Sequence, residues 1–403
     1  MAADPKTQAE IIPEIEPLTL AVSLLCEHPT KLTGLSSTFR QLIVRSLNYF
    51  PALRWILFVG AHHPFDYLHD RLRVVREFPG NDVCRARLVA DHFSVSERAR
   101  GLGANLLLTV GFVPLRARLP AVMHLFTLHH LDPGNRGRID RALYRSWAIH
   151  NGLRRAELVF TNSRDALARI IQSYPWASPK LRLSYEGLDH DTFSPLPLRG
   201  EMRAVRDEFK LPNRYVLFLS NLYPYKQADK LLFAFAAVES ARSMQEVCLV
   251  FAGGDWNGEA ERLRQLARRL GLESRVRFLG WVHDRWIPAL LRNAELFVLP
   301  SREETFGRSV IEAMACGTPG LVNDLPVLRE ITGGAAFFTD FDDPATAGQA
   351  LHRALTDDLA RVEIRRLGIA EAARFSFDGL TRERISQLYQ LQRQLGTKGQ
   401  ACD

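Results

Sequence analysis

Apolar residues along this chain gather in short runs of strand length, each closed by a polar turn and mostly followed by a stretch with helical spacing. In the first half the runs are "LTLAVSLL", "WILFVG", "ARLVA", "NLLLTV", "AVMHLFTL" and "AELVFTNS". In the second half they are "YVLFLSN", "VCLVFAGG", "RVRFLG", "ELFVLP", "PGLVN" and "AAFF". Near-continuous apolar runs alternating with amphipathic segments are the pattern of parallel strands covered on both faces by crossover helices. In "KQADKLLFAFAAVES", Leu231, Ala234, Phe235 and Val238 fall on one helical face, so this segment should lie on a sheet.

The stretch "SYEGLDHDTFSPLPLRG", rich in Pro, Gly and Asp, is the best linker in the chain. In a chain of 403 residues divided at this stretch, two cores are expected. The expected class is α/β, with two doubly wound Rossmann-like domains facing a cleft, spanning residues 1–197 and 198–375. In the tail, residues 376–403, Leu380, Ile385, Leu388 and Leu391 share a helical face, which predicts a helix docked back across the domain boundary. Ligands of such sheets bind beyond the carboxyl ends of the strands, so the loops that follow those strands are where chemistry belongs.

Composition narrows the class. The apolar fraction of 46% suits a folded globular chain. The five cysteines, Cys26, Cys84, Cys248, Cys316 and Cys402, form no CxxC pair and have no histidine at metal spacing, which argues against disulfide and zinc frameworks. The N-terminus has acids and prolines before a short apolar run, unlike a signal peptide or a membrane span. A cytoplasmic protein is expected. The net charge of +7 comes largely from arginines, as in "HDRLRVVREF" and "NRGRIDRALYRSW", read as solvated helix faces. A basic surface peripheral to the inner face of a membrane is the alternative. Basic runs are not interleaved with aromatics, so no nucleic-acid partner is expected.

One stretch concentrates chemistry. "ELFVLPSREETFGRSVIEAMACGTP" reads as a strand, a polar loop and a helix that starts around Phe306 to Ser309 and ends near Cys316-Gly317. A helix start at the carboxyl end of a strand offers free N–H groups to an anion. Glu304 and Glu312 flank it and could accept hydrogen bonds from hydroxyls on either side. Two acceptors around an anion pocket describe a nucleotide-sugar. The alternative for Glu312 is a capping box, in which it would bond the Ser309 amide.

"PSREETFGRSVIEAMACGTP" also fits, residue for residue, the frame "P-S-x-x-E-x-F-G-x-x-x-x-E-A-M-A-x-G-x-P" of the retaining GT-B glycosyltransferases of family 4. The chain resembles that family strongly from Tyr215 to about Asp343 and weakly in its first half. The resemblance implies a GT-B fold, with residues 1–197 binding the acceptor and 198–375 the nucleoside-diphosphate sugar. It implies that Glu304 holds donor-sugar hydroxyls, that Glu312 holds the ribose, and that the amides of Thr305, Phe306, Gly307 and Arg308 meet the distal phosphate and sugar. Lys226, in "LFLSNLYPYKQADK", matches the family's diphosphate lysine. Asn221 stands where an arginine is common, and Arg308 is a candidate for the missing charge. Gly253, Gly254, Trp281 and Val282 resemble the loops that border the base, with ordinary βα turns as the alternative. In "LFTLHHLDP", His129 matches a histidine that contacts the donor sugar, whereas His130 replaces an Asp. Gly34 lies at the place of a Gly-rich loop that approaches the diphosphate or the acceptor. Gly187 matches an "N-G-V-D" turn in which Glu186 replaces Asn. Ser163 reads as a helix N-cap.

The resemblance therefore implies a retaining hexosyl transfer to a glycan, lipid-linked or small-molecule acceptor. No metal site and no cofactor beyond the donor are expected, since no D-x-D pair lies near the expected diphosphate. A non-catalytic nucleotide-sugar-binding protein and a sugar-nucleotide epimerase remain the alternatives. The chain has no G-x-G-x-x-G after an early strand and no G-x-S-x-G elbow, which argues against a dehydrogenase and a serine hydrolase.

Overall fold

The structure is a computed structural model that describes residues 17–28, 34–128, 131 and 139–400. Its first sheet is built from β1 (Leu18–Ser23), β2 (Leu53–Phe58), β3 (Leu72–Val75), β4 (Leu106–Val110), β5 (Ala121–Leu125), β6 (Leu158–Thr161) and β7 (Leu181–Leu183). The strand order is β3-β2-β1-β4-β5-β6-β7. The second sheet is built from β8 (Arg214–Leu219), β9 (Val247–Ala252), β10 (Val276–Gly280), β11 (Leu296–Leu299), β12 (Gly320–Asn323) and β13 (Phe337–Thr339), in the order β10-β9-β8-β11-β12-β13. The pairings around β1 and β8 are parallel, and every residue of β11 is buried. This is why the strands read as unbroken apolar runs rather than as alternations.

Two compact units emerge. One comprises the described residues up to His124, Ala148–Leu158 and the chain from Thr381 onward; the other comprises Leu125–Trp147 and Val159–Leu380. In the first unit, Ile385, Leu388 and Leu391 of the helix Phe377–Gln400 are buried, and the Tyr389 ring lies 5.8 Å from that of Phe50. In the second, two apolar layers cover the two faces of the β8–β13 sheet. Leu231, Ala234 and Phe235 of the helix Ala228–Ala236 belong to one of them, and Val238 packs against it.

Two sequence expectations fail in the first unit. "ARLVA" lies within the helix Cys84–Phe93 and is not a strand. Its Arg87 pairs with the buried Asp91 one turn on, at 3.1 Å, while Val89 is exposed. The i,i+4 ion pair and the burial of Ala90, Asp91 and His92 decide for helix over a short apolar run. "HDRLRVVREF" is not a solvated helix face, because Leu72–Val75 forms the edge strand β3 beside β2. Its arginines are partly internal. Arg71 donates to the carbonyls of Leu47 (2.6 Å) and Phe50 (2.7 Å), and Arg76 to those of His63 (2.8 Å) and Phe65 (2.7 Å). Leu47 and Phe50 lie at the end of the helix Gly34–Tyr49, where orphan carbonyls attract such donors, and His63 and Phe65 lie in the loop after β2, so these cations serve the fold.

In each sheet the order reverses once, between β1 and β4 in the first and between β8 and β11 in the second. Neighbouring strands there send their following chains in opposite directions, which leaves a crevice at their carboxyl ends. The loops after β8 and β11 carry Lys226 and Glu304.

Elsewhere in the second unit, Glu330 of the helix Pro326–Thr332 accepts the backbone N–H groups of Arg164 (2.8 Å) and Asp165 (3.0 Å) and the Tyr185 hydroxyl (2.8 Å). It thus caps the helix Arg164–Ser173 from outside, beside Ser163, whose hydroxyl accepts from Ala166 N–H at 3.0 Å as a local N-cap. Burial and the Glu330 charge push the Tyr185 hydroxyl up to about 12, so it stays a donor. Replacing Glu330 with Ala should lower the stability of this unit by about 2 kcal/mol, read as a shifted thermal transition. A shift near zero would mean that water replaces all three bonds.

Candidate functional site

The chain leaving β8 turns through Pro224–Lys226 before entering the helix Ala228–Ala236, and Gln227 between them has φ +52°. This turn presents Lys226, whose Nζ donates to Glu304 Oε1 at 2.6 Å. Both side chains are largely enclosed, 13% and 10% exposed. The Tyr225 carbonyl also accepts the Arg302 N–H at 2.9 Å, so the loops after β8 and β11 are joined by backbone and side chain together. Lys226 Nζ stands 5.2 Å from the Tyr225 ring centroid, and burial together with the Glu304 charge raises that tyrosine's ionisation far above its usual range.

The loop after β11 ends at Gly307, the N-cap of the helix Arg308–Ala315, with φ +93°. A Cβ at Gly307 would lie 2.9 Å from Leu328 Cδ2, so conformation and space both call for glycine. No side-chain cap closes this helix start, and the capping box with Ser309 does not form. Instead Arg308 Nε donates to Glu312 Oε1 at 3.0 Å, an i,i+4 pair with side chains 22% and 10% exposed. The charge expected of Arg308 is therefore engaged by Glu312. At the far end Gly317 has φ +74° and Thr318 N–H returns to Ala313 O at 2.9 Å, the glycine stop read from "CGTP".

The other sequence candidates take different places. Phe306 is a core residue, 2% exposed, with its ring 5.6 Å from Phe375, so it offers the site only its backbone. The Thr305 hydroxyl donates to the Phe126 carbonyl at 2.6 Å. Asn221 Oδ1 accepts the Gly254 N–H at 2.9 Å, and Leu222 N–H donates to the Gly254 carbonyl at 2.9 Å. Asn221 therefore ties the β8 loop to the β9 loop. Gly253 has φ +151°, and a Cβ there would lie 1.9 Å from the Ser220 carbonyl oxygen, which makes it obligatory for that close approach. After β10, Trp281 is 44% exposed with its ring 5.8 Å from His283, whereas Val282 is buried. Gly187 faces Phe377, whose Cδ1 would lie 2.3 Å from an added Cβ. Gly34 begins the helix Gly34–Tyr49 of the first unit. His129 and His130 lie outside the described residues.

Sequence reasoning missed several neighbours. A cleft of about 460 Å³ in the second unit borders Glu304 and is lined in part by Asp165, Arg169, Arg302 and Glu303. Arg169 stands 3.5 Å from Glu303 and 3.8 Å from Asp165, too far for good hydrogen bonds. Tyr223 stacks on Tyr225 (5.5 Å, 10°) and leans on Trp256 (4.8 Å). The adjacent acid pair "EE" and the aromatics in "LYPYK" and "GGDW" were the available signals, but only the fold brings them to one place. Among the described residues no group of three His, Cys, Asp or Glu could hold a metal ion, and no helix is long and apolar enough to cross a membrane.

The Lys226–Glu304 pair should be strongly coupled. Lys226→Met leaves a mostly enclosed carboxylate without its counter-ion and should cost about 3 kcal/mol, while adding Glu304→Gln should restore most of it. Urea unfolding of the single and double variants measures the coupling, and additive losses would show the pair to be energetically idle.

Comparison with known proteins accords with this geometry. The family of glycosyl transferases group 1 matches residues 203–374, which hold all of the site loops just described after β8, β9, β10 and β11. Over 248 residues the chain is 28% identical to the O-antigen chain mannosyltransferase B of Escherichia coli, a match spanning 61% of this chain and 64% of that protein. Sucrose-phosphate synthase from Thermosynechococcus elongatus superposes with a TM-score of 0.75 at 20% identity, covering 94% of this chain and 100% of that one. Anabaena HepE, solved in complex with UDP-glucose, superposes with a TM-score of 0.72 at 22% identity, covering 92% and 99%. At these identities the structural likeness speaks for the fold, and the family match speaks for the site. With its two parallel, doubly wound sheets and its Glu304–Glu312 loop and helix, the chain has the GT-B fold, and its residues 203–374 match the family of glycosyl transferases group 1.

Proposed function

We propose that this protein is a glycosyltransferase that moves a sugar from a nucleoside-diphosphate sugar to a hydroxyl acceptor, with retention and without a metal ion. The observation that carries the reading is the meeting of Lys226, Glu304 and the start of the helix Arg308–Ala315 at the reversal between β8 and β11. That crevice offers cation, amides and carboxylates within one ligand's length, which suits a molecule made of hydroxyls and phosphates. The UDP-glucose bound to Anabaena HepE supports a nucleotide-sugar as donor.

In this reading Glu304 accepts the donor sugar's hydroxyls and Glu312 those of the ribose, with Trp281 and Val282 beside the base. Lys226 and the amides from Thr305 to Arg308 stabilise the diphosphate as its bond to the anomeric carbon breaks. The acceptor oxygen bonds to that carbon on the same face, and its proton passes to a departing phosphate oxygen. The products are the glycoside and the nucleoside diphosphate. The cleft beside Glu304 is the acceptor's place. Its mixed lining of two arginines and three acids suits a polyhydroxyl group, such as a glycan end, more than a free phosphate.

Three measurements test this. A panel of labelled nucleotide-sugars should give transfer that survives EDTA, with the product's anomeric coupling by proton NMR matching the donor's; an inverted linkage or loss of activity in EDTA rules the mechanism out. Binding without turnover would favour a non-catalytic nucleotide-sugar-binding protein, and a changed sugar in the recovered donor an epimerase. Glu312→Ala should weaken nucleoside-diphosphate binding by roughly tenfold or more while the fold persists, since a charged hydrogen bond contributes about 1.5–3 kcal/mol. Contact with an anionic membrane belongs to the same proposal, supported by the exposed Leu143 and Trp147 on the arginine-bearing helix Ile139–Arg155. Sedimentation with phosphatidylglycerol vesicles, weakening as salt is raised, would bear it out, and indifference to vesicles would end it.

A further inference from the structure

Arg308 occupies an unfavourable position. It is the first residue of an eight-residue helix, where the macrodipole disfavours a cation, and its side chain is mostly enclosed. Three carboxylates offset this cost. Glu312 bonds it directly, and the charges of Glu186, from the turn after β7, and Asp284, from the loop after β10, also act on it. Glu186 is itself held by Asn162 Nδ2 at 2.9 Å. Charges from three chain segments thus act on one guanidinium.

Taking the donor to be a nucleoside-diphosphate sugar, as proposed above, Glu312 must accept hydrogen bonds from ribose hydroxyls, and it does this best when ionised. Its surroundings oppose ionisation. Burial raises its carboxyl above the ordinary range, Asp284 and Glu186 raise it further, and Arg308 is the group that pulls it back. Cys316, the C-cap residue of the same helix, contributes no charge, because burial pushes its thiol up to about 12.

We propose that Arg308 is a positioning residue of the donor site, whose guanidinium holds Glu312 ionised and aimed so that nucleotide binding persists from neutral into mildly acid solution. Arg308 acts through Glu312 rather than on the phosphates. A surplus of acid around it makes it a poor anion ligand and a good keeper of a carboxylate.

The test uses the full chain, with UDP and GDP as probes and affinities measured by calorimetry from about pH 8 to about pH 5.5. Taking the ratio of variant to wild type at each pH removes the nucleotide's own protonation. In Arg308→Gln, Glu312 keeps its acid neighbours and loses its cation, so its carboxyl should take up a proton within this window. The variant should bind within a few-fold of wild type at the alkaline end and at least tenfold more weakly at the acid end, a change of about 1.4 kcal/mol. Stability should move the opposite way. A native carboxyl raised above its unfolded value binds its proton more readily in the folded state, so the variant's stability deficit is largest at high pH and shrinks as pH falls. Arg308→Lys and the double variant Arg308→Gln/Glu312→Gln should show neither trend. An affinity ratio that stays constant with pH, or a stability deficit that does, overturns the proposal and leaves Arg308 a packing residue. If wild type binds neither nucleotide and the stability deficit still shrinks toward acid pH, the charge relation stands and the donor assignment falls.

Discussion

The hydrogen bond between Lys226 and Glu304 is the link on which the site depends. It joins the loops of two adjacent strands, β8 and β11, whose connections depart in opposite directions. Nothing in the backbone of such a sheet obliges these loops to meet, because the crevice between them exists only where the strand order reverses. A largely enclosed ion pair links the two loops there. The Arg302 N–H on the Tyr225 carbonyl reinforces it, and Asn323 Nδ2 at the end of β12 holds the β11 loop by the Ser301 carbonyl.

The site's second carboxylate is managed in the same way. Glu312 is paired with Arg308 as Glu304 is with Lys226, so each acid of the family frame has a basic partner within hydrogen-bond distance. Paired charges can be enclosed with little strain, whereas a lone one would change its protonation. The arrangement thereby gives each of two carboxyl groups near a helix N-terminus its own basic partner. Around these pairs, glycines set the distances. Gly253 lets the β9 loop approach Ser220, and Gly307 lets the chain turn into its helix against Leu328.

Much of this was legible in the sequence. The apolar runs of the second half all became strands, because parallel strands buried on both faces need unbroken apolar character. Glu304, Glu312, Gly307 and the Gly317 stop could be placed from spacing, since a strand, a loop and a helix follow one another locally there. The first half was less legible. "ARLVA" and "LRVV" exchange roles because a short run mixing arginine with apolar residues satisfies either period, and the neighbours Asp91 and β2 decide the outcome.

By itself the sequence determined the periodicity of the elements, the family frame and the residue types available for binding. Only the tertiary structure decided how those residues pair. Asn221, expected beside a phosphate, ties Gly254, and Arg308 attends Glu312. Phe306 fills the core, and Glu330 caps a helix whose first residue lies far earlier in the chain. Each of these outcomes rests on the distance between groups remote in sequence or turned by a local rotamer. Electrostatic and hydrogen-bond energies fall off within a few ångströms, so the pairing is settled by packing and not by the order of residues.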